Sequence, residues 1–195
     1  MTKDEMMNRV RELLPDSRYE HTLRVAETAV TLAERYGADE KKAELAGLLH
    51  DIAKYFSEET LYQTISSHSE ISDVFLNYHS SVWHAPVGAV YVREQLGLSD
   101  LDIYNAIHYH TTGREGMSLL EKIIFLADYI EPGRNHPGVA PVRQLANENL
   151  DQAVSLALIN TINYLIECYS PVFPDTIAAY NDLIRVTGEP LRMHD

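Results

Sequence analysis

The sequence predicts an all-α helical bundle, and three observations predict it. Apolar residues recur at helical spacing almost throughout. Ser, Thr and Asp stand where helices would start, and Gly or Pro where they would stop. No strand alternation, internal repeat, low-complexity tract or interdomain linker breaks the pattern. With 195 residues and 45% hydrophobic content, the chain can bury one sizeable core, so one domain over residues 1–195 is expected.

Thr2 and Glu5 form a capping box that opens a first helix, and Pro15 closes it. Asp16 is the candidate cap of a second helix running to Tyr36, with Gly37 as its stop. A third helix is expected from about Asp39 to Ala53, with Ala43, Leu45, Ala46, Leu48, Leu49 and Ile52 forming a broad buried face. A shorter helix follows Ser57, whereas residues 68–83 fit no single element. Pro86 opens a helix from near His84 to Leu96, ended by Gly97. Ser99 and Asp102 start the helix that carries Ile103, Ala106 and Ile107, and the segment Thr111 to Gly116 breaks it as a loop. Ser118 and Glu121 make a second capping box ahead of the run from Ile123 to Asp128, and a Pro/Gly-rich loop from Glu131 to Pro141 follows. A long helix from about Asp151 to Tyr169 and another from Pro174 to about Val186 complete the chain.

Lys and Arg number 16 and Asp and Glu 29, so the formal charge is 16 − 29 = −13. That balance argues against nucleic acid and anionic membranes as partners. It does not exclude an anionic substrate, because a bound metal can be the dominant charge in a site. Cys168 is the only cysteine, which suits a reducing compartment, and the acidic N-terminus does not read as a signal peptide. No uncharged apolar run approaches the roughly 20 residues of a membrane span. A cytoplasmic location is expected.

His50-Asp51 ends an apolar run, and a pair of this kind suits a divalent cation better than a core. His21, His84, His110 and Asp128 lie in comparable apolar settings, and a bundle gathers such residues from facing helices. An ionised Asp128 within Ile123 to Ile130 must be paired, hydrogen-bonded or metal-bound. A salt bridge to Lys122, Arg134 or Arg143 is the competing reading. His108 and His110 are two residues apart and point to opposite sides, so one of them is expected to enter a shared site. His84 stands at a helix start, where a capping role competes with a ligand role. His68, His79, His136 and His194 lie in polar segments and read as surface residues.

In order, His21 … His50-Asp51 … Asp128 resembles the ligand pattern of the HD superfamily of metal-dependent phosphohydrolases. Five strings narrow the resemblance to bacterial YqeK-type symmetrical bis(5'-nucleosyl)-tetraphosphatases. They begin at His21 (HTLRVAE), Ala46 (AGLLHDIAK), His84 (HAPVGA), His110 (HTTGR) and Leu126 (LADYIEPGR), and the similarity spans roughly residues 16–185. The resemblance implies an HD-type bundle and an iron-binding hydrolase that cleaves diadenosine tetraphosphate symmetrically into two ADP. It implies that His21, His50, Asp51 and Asp128 hold the metal. His84 and His110 would bind a second metal or contact phosphates, with the phosphate role favoured in a one-metal form. Lys54, Thr111 and Arg134 would touch the nucleotide, and His50, Asp51 and Lys54 would carry the catalysis.

Mixed imidazole and carboxylate ligands suit iron, manganese or zinc and argue against a pure calcium site. Arg134 suits bidentate phosphate contact and Lys54 acts as a point charge, each competing with a plain surface role. The chain lacks a Gly-Tyr-Pro addition to the HD pattern, which disfavours cyclic di-GMP as substrate. The alternatives are an HD phosphohydrolase acting on other nucleotides, a nucleotide-sensing module without turnover, and a helical scaffold. One or two ions, and a monomer or a homodimer, stay open at this point.

Overall fold

The structure, a computed structural model, describes residues 1–187. Among them are ten α-helices: α1 (Lys3–Leu13), α2 (Asp16–Tyr36), α3 (Glu40–Leu49), α4 (Glu58–Ser67), α5 (His84–Gln95), α6 (Leu101–His108), α7 (Leu119–Ile130), α8 (Val139–Leu145), α9 (Leu150–Glu167) and α10 (Pro174–Thr187). Two short 3₁₀ turns, Asp73–Asn77 and Ser80–Val82, occupy the stretch that fits no single element in the sequence. No β-strand occurs among the described residues. His194 lies outside them.

α7 is the axis of the bundle and packs against α2, α3, α6, α8 and α9. Its consecutive residues Ile123, Ile124, Phe125, Leu126 and Ala127 are all buried, as in a helix enclosed on every side. Burying each large apolar side chain contributes about 1.5–3 kcal/mol, so this run anchors the fold. Asp128 follows where α7 emerges towards solvent, with its side chain 23% exposed. A second, smaller apolar cluster joins Leu61, Ile65, Phe75, Val87, Val90 and Phe173. In it the Phe75 and Phe173 rings stack at 4.5 Å between centroids.

Most cap signals form. Thr2 and Glu5 make both hydrogen bonds of the capping box, and Gly37 takes the left-handed conformation that ends α2 (φ 75°). Several boundaries differ. Pro15, not Asp16, is the N-cap of α2, and Asp16 is its first residue. Asp100, rather than Ser99, caps α6 by accepting from the backbone N–H groups of Asp102 and Ile103. At Ser118 half of the capping box forms: the hydroxyl accepts from Glu121 N (3.2 Å). The buried Glu121 carboxylate instead takes a two-pronged ion pair with Arg114, at 2.7 Å on each oxygen. α3 ends at Leu49, short of Ala53, and residues 50–55 continue as turns. The segment read as a loop to Pro141 contains the start of α8.

Candidate metal centre

Five segments bring ligand-type side chains to one place: α2, the end of α3, the start of α5, the turn after α6 and the last turn of α7. α2 supplies His21, and its approach to α3 depends on Gly47. A Cβ at that position would stand 2.8 Å from Ala26 Cα, closer than side chains tolerate. Leu49 is the last residue of α3, yet His50 keeps helical backbone angles (φ −56°, ψ −38°). At this helix end the side chains of His50 and Asp51 both reach the centre, with His50 Nε2 3.4 Å from Asp51 Oδ2. His84 opens α5 without capping it, and its side chain turns into the centre. His110 enters from the turn after α6. His108 is buried on a different side, beside Phe75 and Tyr104, so one of the two histidines joins the site.

The donor atoms form two sets that share Asp51. His21 Nε2 lies 3.1 Å from Asp128 Oδ1 and 3.8 Å from Asp51 Oδ2, and His50 Nε2 lies 3.4 Å from Asp51 Oδ2. On the other side, Asp51 Oδ1 lies 2.9 Å from His84 Nε2 and 3.7 Å from His110 Nε2. Those two ring nitrogens are 3.2 Å apart. Within each of three overlapping trios, His21–His50–Asp51, His50–His110–Asp128 and Asp51–His84–His110, the ligand atoms lie within 4.8 Å of one another.

The far side of each ring fixes its orientation. A carbonyl oxygen only accepts, so His50 Nδ1 donates to Gly47 O (2.6 Å) and His110 Nδ1 to Ile107 O (2.7 Å). Nε2 is then the atom that faces inward, as in metal-binding histidines. The inward Nε2 atoms of His21 and His50 are buried and have no hydrogen-bond partner among the described residues. Oxygens stand near them, yet not along a hydrogen-bond direction. Donor atoms aimed at a common point instead of at each other fit a cation there. The mix of imidazole and carboxylate fits a divalent transition ion.

The electrostatics point the same way. Burial raises the Asp51 carboxyl, but the imidazoles of His50, His110 and His84 around it outweigh burial and hold it well below the usual range. Asp128 is likewise pushed up by burial and pulled further down by His21, His50 and Arg134. Burial disfavours charge on His50, yet Asp51 and Asp128 override it and raise that imidazole. Burial takes His84 down to about 4 against the pull of Asp51. Lys54 Nζ is 3.4 Å from both ring nitrogens of His84, and burial lowers its pKa while Asp51 opposes.

Arg134 donates Nε–H to the Asp128 carbonyl oxygen (2.9 Å) and pairs with its carboxylate, so the expected alternative partner of Asp128 is present beside His21. Lys122 pairs with Asp151 instead. Arg143 donates to the carbonyls of Ile130, Glu131 and Arg134 and holds that loop in shape. Thr111 follows His110, with its hydroxyl buried and without a partner among the described residues. Sequence reasoning missed Arg18, Arg24 and Glu131. Arg18 Nη1 lies 3.0 Å from Asp51 Oδ2, and Arg24 Nε lies 2.6 Å from Glu131 Oε2. Arg18 and Arg24 are each three residues from His21 on one helix face, a spacing that could have found them. With His21, Tyr55, Arg134 and His136 they line an open cavity of about 390 Å³ at the mouth of the centre.

A family model described as "HD domain" matches residues 18–133, from Arg18 to the loop after Glu131. Two relatives named "Bis(5'-nucleosyl)-tetraphosphatase, symmetrical", from Halalkalibacterium halodurans and Bacillus subtilis, are each 47% identical over 184 residues. Each alignment covers 94% of this chain and 98% of the relative. The crystal structure of a predicted HD superfamily hydrolase from Clostridium acetobutylicum, described as involved in NAD metabolism, superposes with a TM-score of 0.91. It is 39% identical, over 95% of this chain and 98% of that one. With the ligand-type residues of the HD pattern gathered at one point and the family match spanning most of the chain, this protein belongs to the HD-domain family.

Proposed function

We propose that this chain hydrolyses diadenosine tetraphosphate symmetrically, consuming one water and yielding two ADP. The observation that carries the reaction class is the convergence of His21, His50, Asp51 and Asp128, with two inward ring nitrogens that have no hydrogen-bond partner among the described residues, beside a cluster of cations. The substrate is supported by the full-length similarity to two proteins named symmetrical bis(5'-nucleosyl)-tetraphosphatases.

In this reading His21, His50, Asp51 and Asp128 hold a divalent ion, for which iron is proposed, with manganese or zinc as alternatives. His84 and His110, facing the second oxygen of Asp51, favour a second ion over direct phosphate contact. When bound, such ions polarise phosphoryl oxygens and make water more acidic. The protein groups do the rest. Arg18 and Arg134 stand at the open edge, where guanidinium forks bind phosphate oxygens bidentately. Lys54 places a point charge beside His84, where negative charge develops as the central P–O bond breaks. Thr111, adjacent to His110, is proposed as a nucleotide contact, which its buried hydroxyl would make once the side chain turns towards the centre. Burial of His50, His84 and His110 limits the water around the reacting phosphorus.

The substrate is a nucleotide, and neither nucleic acid nor membrane is proposed as a partner. No helix among the described residues is long and apolar enough to cross a membrane. The test is product analysis with diadenosine tetraphosphate on protein loaded anaerobically with Fe²⁺. ADP as sole product supports the reading, AMP plus ATP redirects it to asymmetrical cleavage, and no turnover leaves a nucleotide-sensing module.

A further inference from the structure

We infer that Glu131 is the positioning residue that sets which nitrogen of His21 faces the metal centre. The inference rests on the metal-centre reading above and concerns a residue outside the proposed ligand set.

Glu131 caps the C-terminal end of α7, three residues after Asp128, and is 2% exposed. Its two oxygens have separate tasks. Oε2 receives Nε–H of Arg24 (2.6 Å) and the backbone N–H of Gly133 (2.6 Å). Oε1 stands 3.0 Å from His21 Nδ1, while Arg134 Nε is 4.0 Å away, beyond hydrogen-bond reach. A carboxylate only accepts, so His21 must carry its hydrogen on Nδ1, which leaves Nε2 to face Asp51 and Asp128. His50 and His110 are oriented by backbone carbonyls, Gly47 O and Ile107 O. Of these three rings, His21 is the one held by a charged side chain. A carboxylate partner also raises the basicity of the imidazole as a ligand.

The asymmetry of Glu131 makes a sharp test. In Glu131→Gln the two donors at the Oε2 position, Arg24 and Gly133, keep the amide oxygen there. The amide NH₂ then falls at the Oε1 position, facing His21 Nδ1. Two donors cannot face each other, so Nδ1 becomes the acceptor and the hydrogen moves to Nε2, where it occupies the space a metal needs. The change is isosteric, so packing is conserved while the ring's donor and acceptor sides exchange.

Chelator-stripped wild-type and Glu131→Gln proteins are titrated with Mn²⁺ alone by calorimetry, and the His21 tautomer of each metal-free protein is read from ¹⁵N NMR. The expected result is hydrogen on Nδ1 in the wild type and on Nε2 in the variant, with Mn²⁺ affinity at the His21 position weakened about 10- to 100-fold. Wild-type affinity in a folded variant overturns the inference and leaves the metal-centre reading intact. So does hydrogen on Nε2 in the wild-type protein, a measurement that does not depend on the variant folding. A wild-type protein that takes up no Mn²⁺ overturns both.

Discussion

Asp51 stands between two pairs of histidines, its Oδ2 towards His21 and His50 and its Oδ1 towards His84 and His110. Removing it damages both halves at once, which no histidine change does. Asp51→Ala is therefore expected to lose nearly all bound metal and turnover together, as is His50→Ala at its own position. His84→Ala and His110→Ala should lower the metal count from two towards one. An unchanged metal count with reduced turnover would assign those two residues to phosphate instead. Elemental analysis alongside steady-state rates separates these outcomes. Arg18→Ala is expected to leave metal content intact and lower kcat/KM by about 10- to 150-fold, the equivalent of about 1.5–3 kcal/mol for a charge-assisted hydrogen bond. His21, His50, Asp51 and Asp128 were legible in the sequence because a ligand-type residue stands out inside an apolar helix. Arg18 and Arg24 carry only their three-residue spacing from His21 as a signal, and Glu131 carries none, because a charged residue on a helix face or in a Pro/Gly-rich loop looks the same whether it faces water or a buried partner.

At the scale of elements, α2 and α3 meet at Gly47, and that contact sets the separation of His21 from His50. Their ring centroids are 5.6 Å apart. Gly47→Ala would press a methyl group onto the α2 backbone. Overpacking of this kind costs about 1–3 kcal/mol, and a lower melting temperature should come with weaker metal binding. Leu126→Ala, at a fully buried position of α7 that offers no ligand atom, should cost about 2–5 kcal/mol in stability. Helix identities were readable because the caps obey local rules. The end of α3 was not, because Ile52 and Ala53 keep an apolar pattern through turns that are equally buried. α8 was hidden by Pro141, which usually argues against a helix. It is the third helical residue there, where the missing N–H has no intrahelical carbonyl to meet.

The whole molecule carries a formal charge of −13, yet Arg18, Arg24, Lys54 and Arg134 gather around one centre. Composition alone conceals such a local reversal, so the chain's total argues against nucleic acid but says little about a small polyanion. The same ion pairs bear on how the protein comes into being. Asp51 leans on Arg18, Asp128 on Arg134 and Glu131 on Arg24, so each acidic group at the centre has an internal counter-charge. The apolar clusters that hold the helices together close around α7 and beneath Phe75 without involving those acids. The polypeptide is thus expected to complete its architecture before any ion arrives, unlike small domains that are unfolded without their metal. Protein stripped by a chelator should keep its helical circular dichroism and melt cooperatively, and added Mn²⁺ should raise the midpoint in step with its concentration, as mass action requires. A chain that lost its helices on chelation would refute this. Loading is then a late event in the protein's life. The identity of the ion in a cell would follow from whichever metal the surroundings offer to an already finished receptacle.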